Sequence, residues 1–165
     1  MIRGERDQVM NARVSFEARY HALAARFVGR HLGPADGVSE RDLASAEKRL
    51  HFRLPASLRG FYRTAGRAPD LARAHNVLLD PAEVTVDGRF LVFMDENQSV
   101  VSWGFRVADP ASHDPVVWQR NNTPPVEWYS ERKRLPRFLE AMFGWYAEVG
   151  VWPSSPRARK APRQS

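Results

Sequence analysis

RFLVFMDENQSVVSWGFRV, residues 89–107, is the stretch on which the fold turns. Arg89–Met94 is a dense β-type run, preceded by the turn pair Asp87-Gly88. Asp95–Ser99 is polar and turn-like. In Val100–Val107, Val101, Trp103, Phe105 and Val107 alternate with Ser102, Gly104 and Arg106. A period of two is the mark of a strand with one face in the core, so the two runs predict an antiparallel hairpin with a half-buried second strand.

The pattern continues downstream. Pro115–Trp118 predicts a third strand and Val126–Tyr129 a short fourth. Residues 135–149 return to helical spacing, with Leu135, Phe138, Leu139, Met142, Phe143, Tyr146 and Val149 on one side. Upstream, Asn76–Leu79 is a short apolar run and Pro81–Glu83 a single helical turn. LPASLRGFYRTAG, residues 54–66, predicts a helix with Pro55 in its first turn and Gly66 as a left-handed C-terminal cap. Before it, Ser39 predicts the N-cap of a helix ending near His51. Residues 8–32 read as an amphipathic helix through Phe16, Tyr20, Leu23, Phe27 and Val28, stopped by Gly33-Pro34. Helices, then a strand meander, then a closing helix imply an α+β fold: an antiparallel sheet covered on one side by helices. The expected divisions are an N-terminal helix and linker at 1–37, the α+β domain at 38–150, and a basic tail at 151–165 too poor in apolar surface to order itself. Helix 8–32 either packs on the domain or mediates a homodimer.

At 165 residues the chain is long enough for one self-supporting core. It has no cysteine, which excludes disulfides and thiolate metal sites and suits a reducing compartment. The start lacks a secretory signal's apolar stretch, and no window approaches the roughly 20 apolar residues that span a bilayer. The expectation is a soluble cytoplasmic protein with no membrane partner.

The net charge of +6 sits at the ends. Residues 153–165 hold Arg157, Arg159, Lys160 and Arg163 with no acid, and residues 1–32 hold six arginines against Glu5, Asp7 and Glu17. The body between is within one charge of neutral, so nucleic acid is not the expected partner. Helices 39–50 and 55–65 resemble a helix-turn-helix only superficially, because Arg59 and Arg63 are a thin phosphate footprint.

No catalytic set assembles. His21, His31, His51, His75 and His113 are scattered without metal-ligand spacing, and there is no nucleophile elbow or phosphate-cradling glycine loop. Asp95-Glu96, with His113-Asp114 as a neighbour, is the best acid–base cluster, but carboxylates on an exposed turn stay ionised and make poor general acids. No enzyme, metal or cofactor is expected. Trp103, Trp118, Trp128 and Trp145 are candidates to line a ligand groove, against the commoner role of core or core edge. The core reading leads for Trp103 and is weaker for Trp118 and Trp128, which sit beside polar loops, while Trp152 lies beside the tail.

Two segments carry a resemblance. SERDLASAEKRLHFRLPASLRGFYRTAG, residues 39–66, has a helix with a central Glu47, a Leu54-Pro55 link, and a helix ending in Phe61-Tyr62 and Gly66. LVFMDENQSVVSWG, residues 91–104, places Phe93, Glu96-Asn97-Gln98 and Trp103-Gly104 in step, and DPVVW at 114–118 follows more loosely. Together they resemble the SUKH superfamily (the Smi/Knr cell-wall-regulator-like group) over about 38–145. His51 stands where such sequences place Gly, at a cost of about 1 kcal/mol if the cap is left-handed, and Ser99 replaces a frequent Gly. The resemblance implies a bacterial immunity protein that neutralises a cognate polymorphic toxin by direct binding.

Loops held on a rigid sheet carry recognition, and Trp, Tyr and Arg dominate binding hot spots. The expected interface therefore joins the turn Asp95, Glu96, Asn97 and Gln98 to the loops around His113-Asp114 and Arg120–Asn122, backed by Trp118 and Trp128. For Asn97 and Gln98 the alternative is turn satisfaction, their amides bonding local backbone. The competing functions are a scaffold or regulatory binding domain unconnected with toxins, and a nucleic-acid binder using the basic ends.

Overall fold

The computed structural model describes residues 16–109 and 113–151. Its centre is a six-stranded antiparallel sheet: β1 (Val77–Leu78), β2 (Thr85–Asp87), β3 (Phe90–Asp95), β4 (Val101–Arg106), β5 (Val116–Asn121) and β6 (Glu127–Arg134). The order is β1-β3-β4-β5-β6, with β2 also paired to β3. The α-helices among the described residues are α1 (16–27), α2 (Glu40–Leu50), α3 (Ala56–Ala65), α4 (Pro69–Ala72) and α5 (Leu135–Val149). The protein is α+β.

The decisive hairpin forms as its pattern dictates, with Leu91 opposite Phe105 and Met94 opposite Trp103. The unbroken apolar run Leu91–Met94 has a specific cause. The register shifts between Val92 and Met94, so Phe93 and Met94 both enter the interior. β4 is not half-buried, however: Ser102 and Gly104 on its far side are as enclosed as Trp103 and Phe105. Trp128 lies over Gly104, and a Cβ there would stand 3.1 Å from that ring and 2.6 Å from the Leu91 carbonyl oxygen. Glycine is required by space, not by backbone angle.

α1, α3 and α5 share one hydrophobic core with the inner sheet face. Tyr20 on α1 donates to the Ser57 carbonyl at 2.8 Å and meets Phe61 edge-on at 5.1 Å, while Phe27 meets Phe143 of α5 at 6.0 Å. The N-terminal helix therefore packs on the domain. It ends at 27 rather than 32, because Gly29 takes a left-handed φ of +68° and turns the chain before Gly33-Pro34 is reached. Arg30 then holds Asp36 and Asp70 together through paired hydrogen bonds of 2.7–2.9 Å, and its guanidinium keeps the Asp36 carboxyl below the usual range. Residues 8–15 of the expected helix, Trp152 and the rest of the expected tail lie outside the described residues. Val151 is half-buried against the core.

α2 starts as expected, with the Ser39 hydroxyl accepting from the Asp42 amide at 3.1 Å. His51 closes it in the left-handed conformation, φ +52°. Gly66 is not a left-handed cap: its φ is −61° and its ψ −20°. It is small because a Cβ would lie 2.7 Å from the Tyr62 carbonyl oxygen and 2.8 Å from Val38.

Candidate functional site

The face of the sheet turned away from the helices carries a ring-and-guanidinium cluster. Side chains alternate along strands, so Phe90 of β3, Arg106 of β4, Trp118 and Arg120 of β5 and Trp128 of β6 emerge on one side. Phe90 and Trp128 stack at 4.0 Å with 8° between their planes, and Phe90 meets Trp118 edge-on at 5.7 Å. The Arg106 guanidinium sits 4.3 Å above the Trp118 ring, and Arg120 lies 5.4 Å from the Trp128 ring. All three rings are half-buried and Arg106 is exposed.

A polar network runs from this cluster to the neighbouring turn. Arg120 pairs with Asp87 and donates to Asn122 Oδ1 at 2.7 Å. Asn122 in turn donates to Ser102 Oγ at 2.9 Å and to the Ser99 carbonyl at 2.8 Å. Ser102, fully enclosed, donates to Asp95 at 2.6 Å. Thus Asp95, Trp118, Arg120, Asn122 and Trp128 come together, and the Glu96–Ser99 turn is fastened to them. A chain of bonds of this kind fixes the turn and leaves its outer side chains free for contact.

Within the turn the expected roles change hands. Glu96, not Asn97 or Gln98, satisfies the local backbone: its carboxylate accepts from the Gln98 amide at 2.8 Å. Ser99 adopts a left-handed φ of +59°, and the Asn122 amide holds its carbonyl. Asn97 reaches instead to His75 Nδ1 at 3.4 Å, and both Asn97 and Gln98 are exposed.

His113 and Asp114 lie elsewhere. β4 and β5 run antiparallel, so the link before Val116 sits at the Arg106 end of the sheet and the Glu96–Ser99 turn at the Val101 end. The His113 carbonyl accepts from the Ser57 amide at 2.9 Å and closes the start of α3, while the Asp114 carbonyl accepts from Arg134. Burial pushes the Asp114 carboxyl above its ordinary value, and neighbouring Ser57, Arg134 and Arg19 only partly offset that. Its Oδ1 is buried without a hydrogen bond of regular geometry. Both residues thus stand at the end of the sheet opposite the Glu96–Ser99 turn.

The other sequence readings sort in the same way. Glu47 accepts from the Leu54 amide and from Arg59, at 3.1 and 3.2 Å, and so pins the link between α2 and α3. Arg59 and Arg63, the cations of the helix-turn-helix reading, are engaged by Glu40, Glu47 and Glu17. Trp103 is enclosed, whereas Trp145 is 46% exposed. Among the described residues no group of three or more His, Asp or Glu side chains is placed to hold a metal, and no helix is long and apolar enough to cross a membrane.

Sequence reasoning missed Phe90, Arg106 and Asp87. Their place in the cluster depends on which residues pair across strands, which alternation alone does not give. No family model, curated protein or solved structure matches the chain.

Proposed function

We propose that this chain is a SUKH-type immunity protein, which neutralises a cognate toxin by direct binding through the open sheet face and the Glu96–Ser99 turn. One observation carries the reading. Helices cover one face of the sheet, while among the described residues no helix covers the cluster of Phe90, Arg106, Trp118, Arg120 and Trp128 on the other. Trp and Arg gathered on a rigid, partly desolvated surface have the composition of a protein-binding hot spot.

Single-stranded nucleic acid fits this surface less well. Bases bind by stacking on free ring faces, yet Phe90 and Trp128 face each other and Arg106 covers Trp118. Ring faces already taken up by another ring or a guanidinium are not available to bases, and the mixture of rings and guanidinium groups suits a protein partner. The reading needs no cofactor and no bond-making step.

Co-expression with the toxin domain encoded beside the gene tests it. Growth rescue together with a co-purifying complex is the expected result. Loss of both overturns the immunity reading, and a stable complex with an unrelated protein would favour the scaffold alternative.

A further inference from the structure

The inner side of the sheet is not fully roofed. Between β4, β5, β6 and α5 lies an open cleft of about 530 Å³. Its apolar wall comprises Val101 and Trp103 from the sheet and Phe138, Met142 and Trp145 from α5. The rim is polar, with Glu96 from the turn, Glu131 and Lys133 from β6, and His75.

Exposed apolar residues concentrate at this end. Val100 (47%), Val126 (55%) and Tyr129 (54%) flank the strand turns, and Trp145 (46%) and Val149 (48%) occupy the last turns of α5. Only Val86, of the large apolar residues exposed among those described, lies elsewhere. His75 ties the two sides together, meeting Trp145 edge-on at 5.5 Å and holding Asn97 of the turn. A grouping of this kind marks a contact site.

The charges at the rim decide what chemistry fits. Glu96 is held through Oε2 by the Gln98 amide, and Glu131 through Oε1 by the Trp103 indole at 3.0 Å. Each carboxylate is thereby oriented with its second oxygen uncommitted among the described contacts. Against these two acids stand Lys133, whose ammonium donates to the Glu131 carbonyl at 3.4 Å, and the imidazole of His75. The balance is acidic beside aromatic walls. An anionic ligand would meet two carboxylates, whereas an arginine would lay its methylene stem on apolar surface and its guanidinium against Trp145 and Glu96.

We infer that this cleft receives an arginine side chain, flanked by apolar residues, from an extended segment of a protein partner. It is a second contact surface, on the opposite side of the sheet from the Trp118–Trp128 cluster, and it does not depend on that partner being a toxin.

The test uses the whole protein and three blocked tripeptides: acetyl-Leu-Arg-Leu-amide and its counterparts with norleucine or glutamate at the centre. The five tryptophan indole N–H signals report by NMR, with Trp145 assigned through Trp145→Phe and the outer-face Trp118 and Trp128 serving as fold controls. The arginine peptide is expected to shift the Trp145 signal saturably and more weakly as salt rises. Glu96→Gln is expected to weaken it about fivefold, the worth of one exposed charge pair near 1 kcal/mol. The inference is overturned if the norleucine or glutamate peptide binds as tightly, if Glu96→Gln changes nothing, if Trp118 and Trp128 shift instead, or if no signal moves. None of these outcomes bears on toxin rescue, so the two proposals fail separately.

Discussion

On the helix-covered face of the sheet, Phe93 and Phe105 stack at 4.6 Å and are sealed from water. On the open face, Phe90 and Trp128 stack more closely, at 4.0 Å, yet stay half-buried, with Arg120 5.4 Å from the Trp128 ring. Similar ring pairs therefore do different things. The inner pair joins sheet to helices and contributes mainly through area removed from water. The outer pair lies at the solvent boundary, beside an Arg120 that Asp87 and Asn122 hold in place, and forms a preformed surface.

Substitutions that break this contrast should differ in size and in kind. Phe93→Ala empties the sealed side and is expected to cost about 3–5 kcal/mol, read from chemical denaturation. A loss near 1 kcal/mol would mean the two faces are energetically alike. Gly104→Ala attacks the boundary between them by pushing a methyl group into the Leu91 carbonyl and toward Trp128. It should cost about 1–3 kcal/mol, and it should disturb the indole signal of Trp128 more than that of Trp103.

Asp114→Asn sharpens the parallel contrast between the two ends of the sheet. Burial raises the folded-state pKa of this carboxyl above its unfolded value near 3.8. Its protonated form therefore supports folding fully below pH 3.8, and that support is lost as pH climbs through the raised folded value. The amide has no such loss. The variant should match the wild type in acid and become the more stable at pH 7 by about 1 kcal/mol or less, given how much solvent reaches the group. Thermal melts across pH 3–7 check this, and a variant less stable at pH 7 would show that the ionised carboxylate is needed.

The smallest stability effect belongs to Arg106→Ala. Removing this exposed guanidinium from over one ring should cost under about 0.5 kcal/mol, yet weaken binding of the proposed protein partner at least about tenfold if the open face is the interface. Titration calorimetry beside a melt separates the two readings.

Much of the architecture was legible because local and global signals agreed. The β3–β4 hairpin showed in alternation at 101–107, and α2 in the Ser39 cap. Other features had no such signal. Thr85–Asp87 is exposed throughout, so β2 carries no apolar period, and the charged run Glu131–Arg134 hid the second half of β6. Gly29 and Gly33 are equally able to end α1 as residues; Gly29 does so because Leu32 must turn back into the core. At the site, Trp118, Arg120 and Trp128 could be found because each stands beside a polar loop. Phe90, Arg106 and Asp87 could not, since cross-strand pairing brings them in. His113-Asp114 were grouped with the turn because sequence distance does not reveal which end of a sheet a loop occupies.

The contacts of α1 also bear on how the chain is made. Tyr20 reaches Ser57, 37 residues later, but Arg26 and Phe27 close on Glu140 and Phe143, and Arg26 and Glu140 are 114 residues apart. At about 5–20 residues per second, a ribosome takes roughly 6–23 s to cover that interval. α1 thus has an early companion in α3 and must wait for α5 to close its outer edge. Until then its apolar stripe is open to chaperones, and among the described helices α5, the last in chain order, is the one that shuts α1.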